Sequence, residues 1–194
     1  MKQMLKEAWI ILMITLFAGV ALGFVYQITK EPIAEQKKMT EQKACAAVFR
    51  DADSFEVMDV GKGLDYPDGD LEKLYVAKDP DGGKMGYVMV ITAHNGYGGD
   101  ITFTLGIRVD GTTNGISITQ IGETAGLGMN AEKVLVPQFE NKAVDSFSIV
   151  KQEAVYDNQI QAISGATITT TAITEAVNAG LDYYYNNLGG VRHE

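Results

Sequence analysis

Cysteine is nearly absent: Cys45 is the only one among 194 residues. That excludes an internal disulfide and any cysteine-ligated cluster held within this chain, leaving Cys45 as a small buried apolar residue or a lone thiol. Histidine is scarce too, and His94 and His193 have no metal-ligand spacing, so no metal site is expected. Positive charge is short, with 16 Lys and Arg against 25 Asp and Glu and a net charge of −9. A chain so acidic lacks the basic face that nucleic-acid binding needs, and anionic lipid attracts it little. No Gly-x-Gly-x-x-Gly follows a strand pattern, which argues against a dinucleotide site. No Ser-His-Asp or Cys-His set is visible, no catalytic residue is assigned, and no internal repeat or low-complexity segment occurs.

What is abundant comes first near the start. From Ala8 to Tyr26 the chain is almost wholly apolar, with Thr15 the one clearly polar side chain. At about 1.5 Å per residue this run spans the roughly 30 Å of a bilayer's hydrocarbon core, and Trp9 and Tyr26 stand where aromatic belts form. A cleaved signal peptide is the competing reading, since Lys2 and Lys6 precede the run and Ala21-Leu22-Gly23 could imitate a cleavage site. Apolar residues continue past that point, which favours a permanent anchor. Lys2 and Lys6 lie before the span and Lys30, Lys37, Lys38 and Lys43 after it, so charge alone does not place the C-terminus outside. Gly19 and Gly23 put two small residues on one helix face, permitting close approach of another helix. Pro32 to Arg50 then reads as a charged helix. The expected division is residues 1–29 as anchor, 30–53 as connecting helix and 54–194 as one domain.

That domain opens with strand signals. Leu74–Ala77, Tyr87–Ala93, Ile101–Val109 and Ile116–Ile121 are rich in β-branched and aromatic residues, with turns at Asp79-Pro80-Asp81-Gly82-Gly83 and Asp110-Gly111. They predict an antiparallel meander, with a weak first strand around Glu56–Gly61. Gly96-Tyr97-Gly98-Gly99 is too glycine-rich for a strand interior and reads as a loop, to which no contact is assigned. In Glu123–Asn130, Gly126 and Gly128 flank Leu127, favouring an exposed apolar tip with unusual backbone angles. Ala131–Asn141 predicts a short helix interrupted at Pro137, and Val144–Val150 and Glu153–Tyr156 predict further strands. The fold class is α+β, with helices flanking the meander.

The most informative stretch is Ser164-Gly165-Ala166-Thr167-Ile168-Thr169-Thr170. After it, Ile168, Ala172, Ile173, Ala176, Val177, Gly180, Leu181 and Tyr184 recur at helical spacing, on a helix ending near Tyr185 before a polar tail, Asn186 to Glu194. The hydroxyls therefore stand at a helix N-terminus, where unpaired N–H groups and the macrodipole favour a phosphate. Gly165 and Ala166 would let it approach closely. The alternative is that Ser164 or Thr167 simply caps the helix.

Ser164–Thr170 resembles the flavinylation motif Ser/Thr-Gly-Ala-Thr-x-Thr of the G subunit of the Rnf electron-transport complex and of the C subunit of the Na⁺-translocating NADH:quinone reductase. The apolar span, Gly96-Tyr97-Gly98-Gly99-Asp100-Ile101 and Glu123-Thr124-Ala125-Gly126-Leu127-Gly128 follow the same family's order and approximate spacing. Gln161 stands where the family often has Asp, and Ala125 where Pro is usual. The resemblance implies an FMN-binding domain outside the cytoplasmic membrane, with FMN covalently bound by a phosphoester to Thr167. It implies a flavin site of Ser164, Gly165, Ala166, Thr167, Ile168 and Thr169, with Glu123, Thr124, Gly126, Leu127 and Gly128 beside the isoalloxazine ring. It further implies a flavin transferase for maturation, the other subunits of an Rnf-type complex as partners, and electron flow between ferredoxin and NAD⁺ coupled to Na⁺ or H⁺ translocation. The chain itself would be an electron carrier without independent catalysis, binding neither ferredoxin nor NAD. A C-type quinone-reductase subunit and a non-redox sensor or structural module are the alternatives.

Overall fold

The computed structural model describes residues 2–61, 63–64, 66–190 and 192; His193 and the end of the polar tail lie outside the described residues. Helix α1 runs Lys2–Val48. The chain divides into two compact units, Met1–Thr40 and Glu41–Glu194. In the first, α1 carries an 18-residue window of mean hydropathy 2.4 with none of it buried, long and apolar enough to cross a membrane. Two of its threonine hydroxyls are satisfied within the helix. Thr15 Oγ1 donates to the Ile11 and Leu12 carbonyls at 3.0 Å, and Thr29 Oγ1 to Val25 O at 2.9 Å, so neither hydroxyl needs water. A β-carbon at Gly19 or Gly23 would meet nothing within 4 Å beyond the helix's own backbone. The helix expected to begin at Pro32 is not separate: α1 continues through Pro32, whose missing N–H costs one rung of the ladder without ending it.

The second unit is built on an antiparallel meander of five strands in sequence order: β1 Ser54–Met58, β2 Gly69–Lys78, β3 Lys84–Ala93, β4 Ile101–Arg108 and β5 Thr113–Ile121. The Asp79–Gly83 turn closes as its residue types require. Asp79 Oδ1 accepts the Gly83 N–H at 2.7 Å and the Asp81 N–H at 3.0 Å, while Gly82 takes φ +82°. Alternate residues of the central strands point to opposite faces. On one face Met89, Ile91, Phe103, Leu105 and Ile107, all fully buried or nearly so, meet helix α3, Thr167–Asn187. Gly180 brings helix and sheet together, since a β-carbon there would stand 2.6 Å from Leu105 Cδ2 and 2.9 Å from Ile91 Cδ1.

The other face receives the end of α1. Cys45, Val48 and Phe49 form a small core with Ala77 and Val88, and Asn114 Nδ2 donates to Val48 O. Glu41 is held by Lys73 at 2.6 Å and by the Tyr75 hydroxyl. Burial, then the nearby Glu41 charge, push the Cys45 thiol up to about 11, keeping it protonated at neutral pH.

After β5 come a short helix α2, Ala131–Val134, and a 3₁₀ turn, Val136–Phe139, containing Pro137. Strands β6, Ser148–Val150, and β7, Gln159–Gln161, pair in parallel. The strand expected at Glu153–Tyr156 does not form. There the Gln159 side chain accepts the Val155 and Tyr156 N–H groups, replacing a ladder with a local turn.

Candidate functional site

Three segments far apart in sequence meet at the end of the sheet where β3 ends and β4 begins. The first is the β3–β4 loop. Its glycines are required by space, not only by turn geometry: a β-carbon on Gly96 would strike Gly99 O and lie 2.9 Å from Glu123 Oε1, and one on Gly98 would strike Gly122 O. The Gly98 N–H donates to Glu123 Oε1 at 3.2 Å. Below the loop, His94 bridges Asp100 at 2.9 Å and Asp70 at 3.2 Å. Hydrogen bonds to Asp100 and then Asp70 raise the imidazole's pKa above its ordinary 6.5.

The second segment follows β5. Thr124 O accepts the N–H groups of Leu127 at 3.1 Å and Met129 at 3.3 Å, and Gly126 takes φ +80°. This tight turn leaves Leu127 exposed, as its flanking glycines predict. Glu123 is buried, 6% exposed, with its carboxylate tied to the first loop. Gly128 locks the second segment to the third, since a β-carbon there would stand 2.7 Å from both Glu123 Cβ and Thr169 Oγ1.

The third segment is the start of α3. Its N-cap is Ala166, and no side chain caps it, so the reading of Ser164 or Thr167 as a capping hydroxyl is not what the chain does. The first turn is anchored from inside by Thr170. Its Oγ1 accepts the Ile163 N–H at 3.1 Å and donates to Ala166 O at 3.0 Å. The N–H groups of the opening turn lack intrahelical acceptors, and Thr167 and Ile168 stand exposed. Ile168 shares the helical spacing of the later buried residues but is 53% exposed, because the buried face begins with Thr169 and Thr170. Gly165 has φ +77°, and a β-carbon there would lie 3.2 Å from Leu127 Cδ2.

Together these segments line a cavity of about 490 Å³, a size usual for small-molecule sites. Its wall includes Glu123, Thr124, Leu127 and Gly128 from the second segment and Gly165, Ala166, Thr167, Ile168 and Thr169 from the third. Ser164 and Gly126 are not on the wall; Gly126 shapes the turn behind it. Tyr97, which sequence reasoning placed in a loop without a contact, is on the wall and 71% exposed. The available signal was its setting, one aromatic among three glycines. The wall offers apolar side chains for a planar ring, free N–H donors for a phosphate and the exposed Thr167 hydroxyl beside them, so FMN fits these residues.

A family model described as the FMN-binding domain matches residues 96–182. The chain is 32% identical over 195 residues to the G subunit of the Na⁺-translocating ferredoxin:NAD⁺ oxidoreductase complex of Acetobacterium woodii, covering 95% of this chain and 93% of that one. It is 35% identical over 182 residues to the G subunit of the proton-translocating ferredoxin:NAD⁺ oxidoreductase complex of Clostridium ljungdahlii, covering 92% and 91%. Among solved structures, NqrC of Shewanella oneidensis superposes with a TM-score of 0.50 at 19% identity, over 62% of this chain and 61% of that one. The C subunit of the Na⁺-translocating NADH-quinone reductase of Parabacteroides distasonis does so with a TM-score of 0.50 at 24% identity, over 62% and 64%. These two likenesses concern the fold.

Proposed function

Since this chain belongs to the G subunits of ion-translocating oxidoreductase complexes, we propose that it is their membrane-anchored electron carrier, with FMN joined through its phosphate to Oγ of Thr167. Bound FMN supplies one- and two-electron redox chemistry that no side chain here provides. The chain's own residues hold and orient it. The unpaired N–H groups and positive end of α3 receive the phosphate, and Gly165 and Ala166 keep side-chain bulk away from it. Leu127 and Ile168 give the ring apolar wall, and Thr124 gives it a polar neighbour. Buried Glu123 braces the β3–β4 loop against the post-β5 loop, so the wall keeps its shape. The attachment needs a flavin transferase, and Thr167 is exposed enough for one to reach it. The anchor is 1–29 and the flavin domain, 54–194, stands on the extracytoplasmic side. Partner proteins of the complex complete the path between ferredoxin and NAD⁺, with Na⁺ or H⁺ moved by the whole assembly.

The observation that carries this reading is an uncapped helix start whose exposed Thr167 opens onto a cavity with apolar walls. The test is to purify the full chain, made alongside a flavin transferase, then denature and desalt it. The protein should stay yellow. Release of all flavin on denaturation would overturn the covalent bond.

A further inference from the structure

The backbone on both sides of Tyr97 is tightly held, yet its side chain is left in water. Gly96 and Gly98 are pressed against Gly99 O and Gly122 O, and Gly98 is hydrogen-bonded to Glu123. The His94–Asp100 pair braces the same loop. An exposed aromatic on a mobile loop tip would need no explanation. One held by close packing at the wall of a cavity does, because the ring gains little from the protein there: it is 71% exposed, and its hydroxyl takes no hydrogen bond among the described residues. With Leu127 and Ile168 it makes a set of exposed large side chains around one opening.

We infer that Tyr97 is a flavin-contacting residue whose phenol ring packs on the isoalloxazine and limits its motion. The inference rests on the proposed FMN site, but not on how the flavin is attached. Planar aromatic systems favour offset-stacked or edge-to-face contact, and a phosphate anchor alone would leave the far end of the cofactor free to swing. A held Tyr97 restricts that swing at little conformational cost, since its loop is already ordered.

Photoexcited flavin is reduced by a phenol in van der Waals contact, and return of the electron restores both rings, so contact quenches flavin fluorescence. The full-length holoprotein, Tyr97→Leu and Tyr97→Phe are therefore compared by fluorescence yield and anisotropy at equal flavin content. Tyr97→Leu should raise the yield severalfold and lower the anisotropy. Tyr97→Phe should raise the yield while keeping the anisotropy high, since a ring of the same shape remains but is a poorer electron donor. Equal yield and anisotropy in wild type and Tyr97→Leu would overturn the contact. The native measurement is made before denaturation, so flavin that later washes out would count against the Thr167 bond and leave the Tyr97 result to stand or fall by itself.

Discussion

Two regions of the domain use missing side chains to bring parts of the chain together, with opposite results. On the face opposite α3, Gly86 and Gly106 let the end of α1 settle on the sheet: β-carbons there would stand 2.6 Å from Phe49 Cζ and 3.0 Å from Val48 Cβ. Val48 and Phe49, each 3% exposed, fill the space. At the end of the sheet Gly96, Gly98 and Gly128 draw loops together just as tightly, yet the centre stays open and Tyr97, Leu127 and Ile168 remain exposed around it. Close packing at the first region stabilises the fold. At the second it stabilises an opening, which is what a site for a guest ring requires.

The comparison breaks most severely at Phe49. Phe49→Ala should cost about 3–5 kcal/mol, the usual cost of emptying a buried aromatic position, and leave flavin content per folded molecule unchanged. The single cysteine reports on this directly, because Cys45 is buried in the same cluster. Its labelling by a thiol reagent should accelerate in the variant. Unaltered labelling and stability would mean that the α1 end contributes little to the domain.

A smaller change should separate the regions more sharply. Gly128→Ala forces a methyl against Glu123 and Thr169, and overpacking of this kind costs about 1–3 kcal/mol. Unlike Phe49→Ala, it should also disturb the flavin's fluorescence, since the wall itself moves. A stability loss with an unchanged flavin signal would detach Gly128 from the site.

The smallest effect concerns pH. The folded-state pKa of His94 is raised above the ordinary 6.5 by its two aspartates. Its contribution is therefore fully present below about pH 6.5 and is lost as pH rises through the raised value. The ring is 42% exposed, so solvent screens the pairs and the contribution is small. Thermal unfolding of wild type and His94→Asn should differ in the acidic range and converge as pH rises. A gap that is independent of pH would assign His94 a packing role instead.

Periodic features were legible in the sequence: the apolar span, the meander and the α3 face from Ala172 to Tyr184. Each repeats a residue type at the spacing of its element. Three-residue β7 has no period to detect, and its parallel pairing with nearby β6 leaves no mark in residue spacing. Leu127 could be placed on an exposed tip because its glycines are neighbours in sequence. Tyr97 could not be placed on the same wall, because what holds its loop is Glu123, 25 residues away from Gly98. Ile168 shares the helical spacing of the buried face yet lines the cavity, where the resemblance put it: periodicity marks a face without saying which first-turn residue turns toward an opening.

The attachment itself is tested most directly by peptide mass mapping of the flavinylated full chain beside Thr167→Ala. The peptide carrying Ser164–Thr170 should bear one FMN through Thr167 in the wild type and none in the variant. The variant should keep its circular dichroism, since α3 has no Thr167 cap to lose. Full flavin on the Thr167→Ala peptide, at Ser164, Thr169 or Thr170, would contradict the account.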